Sequence, residues 1–445
     1  MSQENRNRLK EMLASGEARL QPLTFSQREL WEASPVPVAE SSNHICTFME
    51  VRGAITDAEC LAALQLVVDR QEVMRLSILP GKDQPLQFIR KTRAAVMKIS
   101  TLSADPDALE EKLRTIFEEP FDLLKGPLYR VEVIRRGPDD LVLAFAIHHA
   151  IADGWTLGVF VEDLAAAYLQ VRMGVAGALP DVPLSYTAWA AAERDFWNPE
   201  KLEQRGQFWI ERLAGAPRLW DAVTNDAPRV LARDVSFIGS NVTQAVRNLA
   251  RRADATLFST LLTAFQLALS QWTGATDIVV GTPVANRTKQ SVRETMGYCS
   301  GNVPIRGEIR ADRTLEESVR EMHLNAMDAF ANAMPFAELV RAVGDPPSAD
   351  HNPIFDVRFA LQNHPIPDIT VPGMSVHLRM RSTGTARFDL GCEITESGDE
   401  LEVVWVYRPK VFSRADVENI GNLFVAVLEG IATAPESRAG VLTTR

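Results

Sequence analysis

The 445-residue chain predicts an α/β protein assembled from two segments that each mix strands with helices. Three observations carry that reading. Residues 141–147 contain no charge and several branched side chains, the pattern of a buried strand. Leu157, Val161, Leu164 and Tyr168 recur at intervals of three to four, which describes one face of an amphipathic helix packed back on that strand. Residues 256–271 read as a long buried helix leading through Gly274 to 277–283, a short buried strand ended by glycine and proline. Residues 58–68 supply a further helix ahead of the first strand.

The length is too great for one ordinary domain and indicates two or three, each able to bury a core. Two prolines in Pro180-Asp181-Val182-Pro183 make a crossing between domains, so the boundary is placed near 185, giving 1–185 and 186–445. A formal charge of -11 and a pI near 5.3 argue against nucleic acid or an anionic membrane as the main partner, since both demand a positive face. Small molecules or proteins fit better. Cys46, Cys60, Cys299 and Cys392 are scattered and form no C-x-x-C pair, so neither a disulfide framework nor a metal site is expected. The polar opening Met1-Ser2-Gln3-Glu4-Asn5 is unlike a signal peptide, and no apolar run reaches the length of a membrane span. The expectation is a soluble, cytoplasmic protein.

The most informative stretch follows the first strand: His148-His149-Ala150-Ile151-Ala152-Asp153-Gly154-Trp155, of the form H-H-x-x-x-D-G. The strand delivers both histidines to a loop that the next helix holds from the other side. No G-x-S-x-G, G-x-x-x-x-G-K, G-x-G-x-x-G or H-E-x-x-H motif is present, so the common hydrolase, nucleotide and zincin readings lose their support. Histidine without an obvious protein nucleophile points to general acid/base work in direct transfer between two bound substrates.

Through that motif the chain resembles the condensation domains of nonribosomal peptide synthetases, in the chloramphenicol acetyltransferase-like superfamily. The family's other stretches are matched in order by Leu23-Thr24-Phe25-Ser26-Gln27-Arg28-Glu29-Leu30-Trp31, Asp69-Arg70-Gln71-Glu72-Val73-Met74-Arg75, Tyr186-Thr187-Ala188-Trp189, Val280 through Arg287, Met296-Gly297-Tyr298 leading to Asn302, and Asn352 through Val357 with Gln362-Asn363. The resemblance implies two acetyltransferase-like α/β subdomains in a V-shaped pseudo-dimer around a central tunnel. It implies that an acyl carrier or peptidyl carrier protein brings the donor thioester on a phosphopantetheine arm, that the acceptor is a small molecule or is itself carrier-bound, and that the enzyme holds no cofactor of its own. By the same carry-over, His149 is the catalytic residue, His148 supports the turn, Gly154 lets substrate approach the backbone, and Asp153 pairs with Arg75 to hold the loop. Trp155 and Asn302 are tunnel candidates, although an aromatic opening a packed helix is commonly core and an asparagine such as Asn302 more often serves strand or loop packing.

Two departures stand out: Gln71 replaces a histidine of the family pattern, and Ser300-Gly301 alter the spacing before Asn302. The intact double histidine disfavours the heterocyclising branch. Read as a whole protein, the chain is expected to be a free-standing, monomeric condensation enzyme forming an amide or ester in nonribosomal peptide or polyketide assembly. A coenzyme A-dependent acyltransferase, a non-catalytic recruitment module and an epimerase are the alternatives. Carrier docking on so acidic a chain calls for a local basic or apolar patch, with the stretch around Arg6, Arg8 and Lys10 and the tail after Pro435 as candidates.

Overall fold

The computed structural model describes residues 3–34, 37–103, 105–221, 230–348, 351–362, 373–381 and 387–439. Asn363 of the last motif and tail residues 440–445 lie outside them. A five-stranded sheet has the order β12-β2-β7-β6-β5, a six-stranded sheet the order β10-β9-β11-β13-β14-β8, and a small sheet the order β1-β4-β3. In chain order these are β1 Ala18–Pro22, β2 His44–Arg52, β3 Leu76–Leu79, β4 Leu86–Arg90, β5 Lys98–Thr101, β6 Tyr129–Gly137 and β7 Asp140–His148 in the first half. The rest are β8 Ala232–Ile238, β9 Asp277–Val284, β10 Gly301–Glu308, β11 Val357–Gln362, β12 Ser375–Arg381, β13 Leu390–Ser397 and β14 Glu400–Tyr407.

The uncharged 141–147 run is the body of β7, buried from Leu141 to His148 because β2 and β6 flank it and helices cover it. Helix Gly154–Arg172 then packs back on the sheet, with Phe160 stacked on Phe145 at 3.7 Å between ring centroids. Helix Asp57–Arg70 lies beside it, started by a capping box between Thr56 and Glu59. In the second half, helix Leu257–Thr273 is buried along most of its length and ends at Gly274 in the left-handed conformation, where glycine avoids the Cβ penalty.

Ser185 caps helix Tyr186–Phe196, directly after the proline pair. One strand crosses the sequence division: β12 belongs to the second half of the chain but pairs with β2, from Ser375 opposite Arg52 to Arg381 opposite Cys46. Among the described residues no helix is long and apolar enough to cross a membrane.

Candidate active site

The site starts from the end of β7. His148 is fully buried; its main-chain N–H donates to Leu128 O at 2.9 Å, its Nε2–H donates to Val38 O at 2.8 Å, and its Nδ1 accepts the Ala150 N–H at 3.0 Å. Those two ring contacts require one neutral tautomer, in keeping with burial pushing the imidazole down to about 3. The ring therefore folds the turn. The carbonyl of Ala150 accepts Gln27 Nε2 at 2.8 Å, so the turn is also gripped by the first matched motif.

His149 opens a single 3-10 turn, His149–Ile151, and is partly exposed. Its Nδ1 is buried and has no hydrogen-bond partner. Burial, then the nearby Arg387 guanidinium, pushes the imidazole down to about 3, so the ring is neutral, and its unpartnered Nδ1 is open to a hydrogen bond with substrate. Tyr298 of the second half packs on it, with ring centroids 4.2 Å apart.

Asp153 caps helix Gly154–Arg172, accepting Thr156 N–H at 3.1 Å, and Gly154 is the first helical residue. Its other oxygen takes Arg287 Nη1 at 2.5 Å and the N–H groups of Cys299 at 3.1 Å and Ser300 at 3.0 Å. Burial alone would raise this carboxyl; Arg287 and the two amides more than reverse that and hold it below the usual carboxylate range. The expected pairing with Arg75 is thus wrong. Arg75 lies at the end of the turn Glu72–Arg75 beside the small sheet, where carbonyls of Val68, Asp69, Gln71 and Arg90 take up its guanidinium. Arg287 closes the matched stretch that begins at Val280; a buried cation there needs a buried anion, and that was the signal available in sequence.

Asn302 is buried and donates to Glu29 Oε1 at 2.8 Å; Arg387 reaches the same oxygen at 3.2 Å, and Tyr298 lies within electrostatic reach of both Glu29 and Arg387. Sequence reasoning singled out Asn302 alone of this group. Glu29, Tyr298 and Arg387 come from three distant segments, and only their position in the matched motifs could have drawn attention to the first two. Trp155 is partly exposed; its indole N–H donates to Arg293 O at 2.9 Å and Arg287 lies 5.8 Å from the ring centroid. Gln71 is fully engaged, donating to Asp163 Oδ2 at 2.7 Å and Glu294 O at 3.0 Å and accepting Met296 N–H at 3.0 Å, which ties the two halves together without histidine.

The arrangement offers one neutral imidazole on a turn clamped from both halves, and the neighbouring carboxylate is already committed to Arg287. Among the described residues no cluster of three His, Cys, Asp or Glu side chains is placed to hold a metal. A cavity of about 660 Å³ lies elsewhere, lined by Arg212, Asp277, Arg306 and Arg310, and contains none of the motif residues. Cavity volume does not locate this site; the convergence of the motif side chains does.

The condensation domain family model matches residues 17–444. The chain belongs to that family. Phosphinothricin tripeptide synthetase of Streptomyces viridochromogenes is 28% identical over 93% of the chain, and the chain spans 39% of that relative's length. Malpinin synthetase of Mortierella alpina is 27% identical over 93% of the chain, which spans only 6% of it. Among solved structures, the X-domain from teicoplanin biosynthesis superposes with a TM-score of 0.83 at 21% identity, covering 94% of this chain and 96% of the other. The condensation domain from Monacolin K polyketide synthase MokA gives 0.83 at 17% identity, covering 95% and 99%. At those identities the likeness establishes the fold, and with the family match it makes this condensation domain a member of an acyltransferase-type group associated with amide and ester formation.

Proposed function

We propose that this condensation domain transfers an acyl group from a carrier-protein phosphopantetheine thioester to an amine or alcohol. The observation that carries the reading is His149: a neutral imidazole on a clamped turn where the two halves meet, with Asp153 ionised and occupied. The acceptor N–H or O–H gives its proton to His149 as its lone pair attacks the thioester carbonyl. The tetrahedral intermediate then collapses by breaking the C–S bond, and the pantetheine thiolate takes the proton back from the imidazolium. Asp153 and Arg287 position the turn, and His148 and Gly154 shape it. The carrier supplies the arm, so no cofactor resides on the enzyme, and a monomer holds both halves of the site.

Intact-mass spectrometry of an acyl-loaded carrier mixed with amines and alcohols tests this. Loss of the acyl group to an amide or ester, absent with His149→Ala, is the expected result. A carrier left untouched by the wild type but still bound refutes transfer and favours a recruitment module, while turnover of an acyl coenzyme A with no carrier moves the donor to the soluble thioester.

A further inference from the structure

We propose that Arg90, Arg93 and Ser77, beside Gly126, form a binding site for a phosphate-class anion. Four largely buried arginines face a carboxylate: Arg287 with Asp153, Arg408 with Asp389, Arg70 with Asp163 and Arg387 with Glu29. Arg90 and Arg93, like Arg75, have no carboxylate partner among the described residues; Arg75 is taken up by four carbonyls, whereas Arg93 keeps a buried Nη1 with no acceptor. The charged groups acting on Arg90 are the cations Arg93 and Arg8.

The two guanidinium groups border the same pair of residues, Arg90 at Ser77 and Arg93 at Gly126. Arg90 lies over the fully buried Phe88 ring, 4.7 Å from its centroid, and its Nη1 donates to Ser77 Oγ at 3.1 Å. Gly126, at φ +55°, approaches the same serine: a Cβ there would stand 3.5 Å from Ser77 Cβ and 3.1 Å from Arg93 Nη1. That Nη1 is buried and has no hydrogen-bond partner, while Nη2 donates to Lys125 O at 3.3 Å. Burial and the neighbouring cations push Arg90 down to about 10, and burial lowers Arg93 as well. Two partly desolvated like charges, a hydroxyl and an unused N–H donor are the complement of a tetrahedral oxyanion, whose oxygens take guanidinium donors in pairs. On a chain of net charge -11 such a concentration of unpaired positive charge is local and cannot reflect a general basic field.

The source of the phosphate rests on the proposed function. Gly126 is two residues from Leu128, whose carbonyl holds His148, so the anion site borders the segment that carries the catalytic turn. A phosphopantetheine arm and coenzyme A both carry a phosphate that could serve.

Thermal unfolding of the full chain, with inorganic phosphate exchanged for chloride at constant ionic strength, tests the site without any turnover. The wild type should gain a few degrees through preferential binding to the folded state. Arg90→Gln and Arg93→Gln should lose that gain while melting no lower than wild type in chloride, since each removes an uncompensated cation. An equal phosphate response in all three proteins, or none in the wild type, overturns the site. Binding measurements then assign the source: tenfold weaker capture of phosphopantetheinylated carrier by Arg93→Gln, with the unmodified carrier unaffected, supports the arm, and tenfold weaker coenzyme A binding with both carriers unaffected supports the soluble thioester. Failure of acyl transfer leaves these readouts intact, and their failure leaves acyl transfer intact.

Discussion

The β6–β7 hairpin, its turn and helix Gly154–Arg172 have a counterpart in the second half, where β13 and β14 lead through a turn to helix Arg414–Thr433. Both helices open with a capping box, Asp153 with Thr156 and Ser413 with Asp416. Each unit also owns a buried aspartate–arginine pair at 2.5 Å, Asp153 with Arg287 and Asp389 with Arg408. The wiring differs. Arg408 follows β14 and Asp389 precedes β13, so the second unit closes on itself, with Trp220 Nε1 adding a hydrogen bond to Asp389 at 3.1 Å. Asp153 instead reaches 134 positions along the chain to Arg287 and also holds the amides of Cys299 and Ser300. One scaffold thus serves as support in one half, while in the other its turn is fixed from outside and presents His149 to Tyr298 across the division.

The largest expected effect falls on that histidine. His149→Ala should lower acyl transfer by about 10²–10⁴-fold while leaving the urea midpoint close to wild type, because the ring carries the proton and the turn is held by others. Retained activity would move the chemistry away from the first unit. Next come the two ion pairs. Arg287→Met and Arg408→Met each strand a buried carboxylate and should cost about 3–5 kcal/mol in urea denaturation. Only Arg287→Met should also depress kcat of the folded fraction, by tenfold or more, since misplacing a reacting group by about 1 Å costs on the order of 10² in rate. Equal kcat losses in the two variants would erase the functional distinction between the units.

Much of this contrast is legible in the amino-acid sequence. Residues 141–147, 157–171 and 256–271 show their burial in local periodicity, and β7, helix Gly154–Arg172 and helix Leu257–Thr273 follow those readings closely. The H-H-x-x-x-D-G spacing gave the turn because all its parts are neighbours in sequence. What escaped was long-range pairing. β12 joins β2 across more than 300 residues, and nothing in its own pattern says which sheet edge it completes. Asp153 had several arginines to choose from, and spacing alone does not rank partners at such separations. The Glu29, Tyr298 and Arg387 cluster is invisible for the same reason, since it exists only where three remote segments converge.

The smallest effect concerns acid. The first unit gathers His44, His148 and His149 at one end of its sheet, with His44 ring contacts to His148 and Phe121, and burial pushes His44 down to about 4. A histidine neutral in the native state and near 6.5 when unfolded binds more protons unfolded, so its contribution is present above pH 6.5 and is lost as pH falls toward 4. His44 should therefore steepen the acid loss of stability by up to about 1.4 kcal/mol per pH unit in that window. Glu193 acts in the opposite sense, because burial pushes its carboxyl up to about 7 and favours the native state as it protonates. The total slope mixes these with His148 and His149, which burial also pushes down, so a difference is the proper measurement. His44→Asn offers Nδ2 in place of the ring N–H that meets Phe117 O at 2.8 Å, and should flatten the curve between pH 6.5 and 4 while leaving stability at about pH 7.5 little changed. Parallel curves for the two proteins would show that the ring protonates in the folded state as readily as in the unfolded one, and that the histidine end of the first unit is wetter than its packing indicates.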